Sequence, residues 1–80
     1  MDGKIIYDVE LDCIGLYCPM PIAKTKETMD AMKGGSILKI EADDPAAEED
    51  IKAWAKRTGQ HILNIEKNGI IVTIYIKKMK

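Results

Sequence analysis

Residues 36–58, SILKIEADDPAAEEDIKAWAKRT, contain the pattern of a strand followed directly by a helix. Within 36–43 the apolar residues alternate with charged ones, and this period of two predicts a half-buried strand. Asp44 suits the N-cap of the helix, Pro45 its first position and Gly59 its end. The helical residues predicted to face a core are Ala47, Ile51, Trp54, Ala55 and Thr58. The stretch therefore predicts a strand-helix unit with one apolar face on each element.

A second strand-helix unit precedes this one. Residues 4–12 alternate in the same way, and the predicted apolar face of this strand consists of Ile5, Tyr7, Val9 and Leu11. Residues 19–33 have the spacing of an amphipathic helix, and its predicted buried face consists of Ile22, Thr25, Met29 and Met32. Gly34-Gly35 should end this helix, because glycine readily adopts the left-handed conformation found at helix ends.

Two strands, 61–67 and 70–77, follow the second helix and flank Asn68-Gly69. A two-residue Asn-Gly between apolar runs is a strong β-hairpin signal, because a type I′ turn needs positive φ at both positions. The residues of the last strand predicted to face the helices are Ile70, Val72, Ile74 and Ile76.

The element order is therefore β-α-β-α-β-β, in a single domain covering residues 1–80. Two helices with one apolar face each, and strands with one apolar face each, predict an α+β two-layer sandwich. Its four-stranded sheet should be mixed, with both helices on one face. The strand-helix-strand connection makes a parallel pair, and the hairpin makes an antiparallel one.

The composition excludes several classes of protein. The chain has 80 residues, 12 basic and 13 acidic side chains and a net charge of −1, which argues against direct nucleic-acid binding. It contains no apolar run of roughly 20 residues, the length that a membrane span needs. Its start does not resemble a secretory signal, and two cysteines are too few for a secreted disulfide scaffold. We therefore expect a cytoplasmic protein, monomeric when alone and too small to enclose a large cofactor.

Cys18-Pro19-Met20-Pro21 interrupts this ordinary pattern at the start of the first helix. The helix could begin at Pro19, with Cys18 as its N-cap, or at Pro21, because proline disfavours a helical conformation in the residue before it. In either case the sulfur lies near the positive end of the helix dipole, which favours the nucleophilic thiolate. The candidate N–H donors to that thiolate belong to Met20 and Ile22, and Lys24 and Lys26 would act in the same direction if they reach back. The alternative is a cysteine that only packs as a small apolar residue.

These residues resemble the signature of the TusA (SirA-like) sulfur-carrier family, which also extends to the junction Ala42-Asp43-Asp44-Pro45 and to Asp50. The resemblance covers roughly residues 8–77 and agrees with the element order derived above. The signature, as it stands here, is Asp12-x-x-Gly15-x-x-Cys18-Pro19-x-Pro21 followed by Lys24 and Lys26.

The resemblance implies a sulfurtransferase-type carrier. Cys18 would accept sulfane sulfur as a persulfide from a donor protein, such as a cysteine desulfurase or a rhodanese, and pass it to an acceptor protein. Acceptors in the family serve tRNA thiolation, molybdenum-cofactor biosynthesis or sulfur oxidation. The resemblance implies no metal and no organic cofactor. The remaining positions divide into motif support, at Asp12, Gly15, Pro19 and Pro21, and partner docking, at Met20, Lys24 and Lys26.

Two other functions remain open from the sequence. One is a non-catalytic interaction or regulatory module with the same fold. The other is a small thiol redox protein using Cys13 and Cys18, although the C-x-x-C spacing is missing. Buried packing is the simpler interpretation of Cys13, and a structural or solvent-exposed role that of His61. Helix capping and dipole matching account for the acidic residues around the second helix.

Overall fold

The computed structural model describes residues 6–17 and 20–79. Within them the predicted element order is confirmed: β1 Val9–Cys13, α1 Met20–Ala31, β2 Ile37–Ala42, α2 Pro45–Thr58, β3 His61–Asn68 and β4 Ile71–Lys77. The four strands form one sheet in the order β1-β2-β4-β3. β1 and β2 are parallel, whereas β4 is antiparallel to both β2 and β3, so the predicted mixed sheet is confirmed.

One apolar layer joins the two helices to a single face of the sheet. Its fully or nearly buried members are Cys13, Met29, Leu38, Ile40, Ala42, Ala47, Ile51, Trp54, Ala55, Ile74 and Ile76. The accessible surface of 4985 Å² is close to the roughly 4,800 Å² that mass scaling predicts for a folded chain of this size. The protein is therefore a two-layer sandwich with one thin core.

Helix α2 follows the capping rules closely. The side chain of Asp44 accepts a hydrogen bond from the Ala46 N–H at 3.1 Å, and Pro45 is the first helical residue. Gly59 ends the helix in the left-handed conformation, with a φ of 79°. The predicted core stripe is confirmed except at Thr58, which is exposed and donates its hydroxyl to the Trp54 carbonyl at 2.8 Å. The Thr58 hydroxyl finds its hydrogen-bond acceptor within the helix, so this side chain can remain exposed.

Strand β3 contains an irregularity that simple alternation does not predict. Ile62 pairs with Ile76 and Ile65 with Ile74, so β3 has one more residue than its partner between these pairs. The register shifts between Ile62 and Asn64. In a regular strand, two residues three positions apart would point to opposite faces. The extra residue allows both isoleucines of β3 to pack against the core.

The hairpin turn lies one residue later than predicted. Asn68 pairs with Ile71, which leaves Gly69-Ile70 as the two-residue loop, and Gly69 has a φ of 66°. A glycine at the first central position is typical of a type II′ turn, the other turn that matches the twist of a hairpin. Ile70 is consequently 79% exposed and does not face the helices.

The first strand is shorter than residues 4–12, and Ile5 lies outside the described residues. β1 begins at Val9, because the Asp8 side chain, in place of a backbone carbonyl, accepts the Ile37 N–H at 2.9 Å. Tyr7 therefore leaves the alternation and lies on the opposite face of the sheet. Its ring centroid is 6.4 Å from that of Tyr75 and 5.1 Å from the Lys39 Nζ.

Helix α1 ends at Ala31, two residues before the predicted end. The Lys78 ammonium donates to the Met32 carbonyl at 2.6 Å and so satisfies a carbonyl at the helix end. Gly35, with a φ of 89°, belongs to the turn that follows and does not cap the helix. Among residues 6–17 and 20–79, no helix is both long and apolar enough to cross a membrane.

Candidate functional site

The candidate site is built at the end of the sheet where β1 and β2 both finish. Cys13, the last residue of β1, pairs with Ala42, the last residue of β2. Because the two strands are parallel, the connections that follow them leave from the same edge. The loop 14–17 leads from β1 toward Cys18, and Asp43 follows β2 beside it.

Two local hydrogen bonds shape this loop. The Asp12 carboxylate accepts the Ile14 N–H at 2.9 Å, and the Cys13 carbonyl accepts the Leu16 N–H at 3.1 Å. Gly15 lies between them with a φ of 85°, a conformation that side-chain-bearing residues rarely adopt. Asp12, through its carboxylate, and Gly15, through its left-handed backbone, therefore shape the loop that leads to Cys18.

A third hydrogen bond ties the loop to another part of the fold. The Asp43 carboxylate accepts the Gly15 N–H at 3.0 Å, across 28 positions of sequence. Sequence reasoning quoted Asp43 only as part of the β2-α2 junction. The signal that could have identified this contact is the parallel pairing of β1 and β2, which brings their following residues to one edge.

Helix α1 begins at Met20, between the two predicted starts. Cys18 and Pro19 lie outside the described residues. The two residues that flank them are hydrogen-bonded to each other, because the Met20 N–H donates to the Tyr17 carbonyl at 2.8 Å. The Met20 N–H, one of the two predicted donors to the Cys18 thiolate, is therefore occupied by the Tyr17 carbonyl.

The first turn of α1 is fixed from inside the core. Pro21 and Thr25 are both buried, and the Thr25 hydroxyl donates to the Pro21 carbonyl at 2.8 Å. This bond satisfies the only buried polar side chain among the described residues. Because Pro21 and Thr25 are both buried, the first turn of α1 packs against the core.

The two lysines of the signature are both exposed. Lys24 is close enough to the end of β1 for its positive charge to act on the Cys13 thiol, where it partly offsets the rise in pKa that burial causes.

Cys13 is a free and fully buried thiol. Burial raises its pKa, the nearby Asp12 carboxylate raises it further, and Lys24 opposes both. A raised pKa leaves little thiolate at neutral pH, so Cys13 is a weak nucleophile. The predicted packing role of Cys13 is confirmed by its burial.

Three apolar side chains are exposed on or beside the loop. The exposed fractions are 41% for Ile14, 66% for Tyr17 and 43% for Met20. At the same end of the sheet lies an open cleft of about 340 Å³, lined by Asp43, Asp44, Pro45, Glu48, Lys67, Gly69, Ile70 and Val72. Asp43 is thus shared by the cleft and the loop.

His61 lies at the other end of the sheet. It pairs with Lys77, which also pairs with Ile37, whereas Cys13 lies beside Ala42. Five residues along a strand correspond to roughly 17 Å. His61 is therefore too far away to share a metal ion with Cys13 or to act as a base in the loop 14–17.

Comparison with known proteins identifies the family. Residues 9–78 match the family model described as Sulfurtransferase TusA. The chain belongs to the TusA family. This match includes the loop, the β2-α2 junction and all six elements of the fold.

Two relatives in the TusA family illustrate the range of lengths. The putative sulfur carrier protein YrkF of Bacillus subtilis is 44% identical over 70 residues, which are 88% of this chain and 38% of that protein. The sulfur carrier protein TusA of Allochromatium vinosum is 40% identical over 72 residues, which are 90% of this chain and 95% of that protein. The chain thus spans well under half the length of YrkF and nearly all of the second relative.

A solved structure supports the fold. The SirA-like protein from Desulfitobacterium hafniense superposes with a TM-score of 0.78, covering 91% of this chain and 100% of that one. The two sequences are 18% identical, so the likeness concerns the fold alone.

Proposed function

We propose that this protein is a sulfur carrier in which Cys18 holds sulfane sulfur as a persulfide. The observation that carries the proposal is the loop 14–17, which leads to Cys18, is shaped by Asp12 and is fixed to one edge of the sheet by Asp43. Its exposed position next to the helix start suits a thiol that must enter the active sites of other proteins. The names of the TusA-family relatives support the same role.

The proposed reaction exchanges one sulfur-sulfur bond for another. The Cys18 thiolate attacks the terminal sulfur of a persulfide on the donor protein. A bond forms between these two sulfurs, the donor's own sulfur-sulfur bond breaks, and its electron pair leaves on the donor cysteine as a thiolate. One sulfur-sulfur bond replaces another and the transferred atom is sulfane sulfur before and after, so the step needs no external oxidant or reductant. An acceptor thiolate then attacks the terminal sulfur of the Cys18 persulfide and releases the Cys18 thiolate.

The residues near Cys18 are suited to favouring its thiolate. The first turn of α1 places a helix N-terminus beside the signature, and the Ile22 N–H belongs to that turn. Lys24, whose positive charge acts at the end of β1, adds to this effect. Because the thiolate is the attacking species, both features would increase the fraction of Cys18 that can react at neutral pH.

Two kinds of protein partner follow from this reaction. The donor would be a cysteine desulfurase or a rhodanese, and the acceptor would serve tRNA thiolation or another branch of sulfur trafficking. Met20, Lys24 and Lys26 are the proposed docking residues, to which the exposed Tyr17 can be added. We place this work in the cytoplasm, where thiols stay reduced, and assign it to a single carrier domain that acts as a monomer.

The redox alternative fits the geometry less well. A dithiol mechanism needs Cys13 as a second reactive thiol, but Cys13 is fully buried and its pKa is raised. The carrier reaction needs only Cys18.

The test uses cysteine that carries a radioactive sulfur atom in its thiol. The protein is incubated with a cysteine desulfurase and this substrate, then separated without reductant. We expect label on the wild type and on Cys13→Ala, no label on Cys18→Ser, and complete release of the label by dithiothreitol. Label on Cys18→Ser, or none on a correctly folded wild type, would contradict the proposal.

A further inference from the structure

We infer that Asp43 is a positioning residue for the loop 14–17, which it anchors in the shape that the sulfur-donor protein recognises. The role in partner recognition rests on the proposed function, whereas the hydrogen bond that anchors the loop does not.

The anchor is a single contact between distant parts of the chain. The Asp43 carboxylate accepts the Gly15 N–H at 3.0 Å, three residues before Cys18. Asp12 also binds this loop, but its bond reaches only two residues ahead. A local bond can shape a loop without fixing it to the sheet. Asp43 supplies the connection to a second element.

Asp43 is itself held on both sides. It follows Ala42, which is fully buried at the end of β2. It precedes Asp44, whose side chain caps α2 through the Ala46 N–H. The backbone of Asp43 is therefore held in place, and its carboxylate fixes the position of the loop that it binds.

The anchored loop carries apolar side chains that a partner can contact. Ile14 and Tyr17 are 41% and 66% exposed, and they lie one residue before and two residues after Gly15, which Asp43 holds. A loop that is already ordered loses less conformational freedom when a partner docks. Without the anchor, docking must first order the loop, so the affinity for the partner should fall while the chemistry at the sulfur stays the same.

The hydrogen bond and the charge of Asp43 can be separated by substitution. Asp43→Ala removes both, whereas Asp43→Asn keeps an oxygen acceptor and removes only the charge. Asp30→Ala is the matched control, because Asp30 is an exposed aspartate on α1. Should the alanine variant not fold, Asp43→Gln replaces it, because the longer side chain displaces the accepting oxygen.

Two measurements test the inference. The first is hydrogen exchange at the Gly15 amide by NMR, where Asp43→Ala should exchange about tenfold faster than the wild type, while the Ile40 amide in the core is unchanged. The second is sulfur loading of the carrier by a cysteine desulfurase. We expect Asp43→Ala to raise the KM for the carrier about tenfold with kcat within about twofold of the wild type. Asp43→Asn and Asp30→Ala should retain both wild-type values.

Each contrary result has a distinct meaning. Unchanged exchange at Gly15 in Asp43→Ala would overturn the anchor, and unchanged KM would overturn its role in docking. Equal loss of function in Asp43→Asn and Asp43→Ala would show that the charge acts instead of the hydrogen bond. If the wild type takes up no sulfur, the proposed function and the docking role both fail, while exchange at Gly15 still decides the anchor.

Discussion

Gly15 shows how much of the site depends on one backbone conformation. Its φ of 85° lies in the left-handed region, and its N–H is the donor to Asp43. A Cβ atom added at this position would meet nothing within 4 Å. Glycine is therefore needed for the backbone angle and not for lack of space.

Substitution of Gly15 should follow this reasoning. Gly15→Ala should lower the free energy of unfolding by about 1–2 kcal/mol, because alanine pays the full penalty of the left-handed conformation. Gly15→Asn should lower it less, because asparagine tolerates that conformation better. Urea unfolding followed by Trp54 fluorescence measures both. An equal loss in the two variants would contradict the backbone explanation, since the surrounding space is open in both.

The contrast between the two cysteines is also a property of single residues. Cys13 is fully buried at the end of β1 and its pKa is raised, mainly by that burial. Alanine is the better replacement for Cys13 in functional tests, because serine would bury a hydroxyl that costs roughly 1–3 kcal/mol if it finds no partner.

At the scale of elements, an ion pair connects α2 to the hairpin beside the candidate site. The Lys67 Nζ lies 3.0 Å from a Glu48 carboxylate oxygen, and the Lys52 Nζ lies 3.5 Å from the other oxygen. The hydrogen bond from Lys67 is the main reason that the pKa of Glu48 is held below its usual value of 4.5. A carboxylate with a lowered pKa stabilises the fold above the unfolded pKa, and this contribution is lost as the pH falls through the folded pKa.

The lowered pKa of Glu48 predicts a pH-dependent effect of the substitution Lys67→Met on stability. At neutral pH the urea midpoint of the variant should be lower than that of the wild type, by a small amount because the lysine is 63% exposed. The difference should disappear once the pH is below the folded pKa of Glu48. Lys56→Met, on the exposed side of the same helix, is the control and should show no such pH dependence. A difference between Lys67→Met and wild type that persists in acid would mean that packing, not charge, holds the hairpin.

Elements defined by local rules were predicted well from the sequence. The start and end of α2 follow from Asp44, Pro45 and Gly59, because capping depends on residues within one turn. The hairpin was placed correctly but its turn was not, since the turn at Gly69-Ile70 depends on which residues pair across the strands. The extra residue in β3 has the same origin, because it serves the packing of Ile62 and Ile65.

At the scale of the whole molecule, the sequence predicts the signature residues of the candidate site but not the hydrogen bonds that join them to distant parts of the fold. The signature residues are close in sequence, so a pattern contains them. The bond between Gly15 and Asp43 spans 28 positions and exists only because β1 and β2 are parallel neighbours. The place of Tyr7, against Tyr75 on the open face, likewise depends on where β1 begins.

The thin shape of this domain agrees with the proposed role. The principal extents are 32 × 28 × 18 Å, and the radius of gyration of 11.6 Å is that expected for a compact chain of this length. So thin a sandwich has little room to enclose a reaction. Its loops at the edge of the sheet can present a thiol to the active site of a larger partner.

The central claim is that Cys18 alone carries the sulfur, and intact mass measured without reductant tests it most directly. After incubation with a cysteine desulfurase and cysteine, the wild type and Cys13→Ala should each gain about 32 Da, the mass of one sulfur atom. Cys18→Ser should gain nothing. The same gain on Cys18→Ser, or a loss of about 2 Da in the wild type from a disulfide between its two cysteines, would contradict the account.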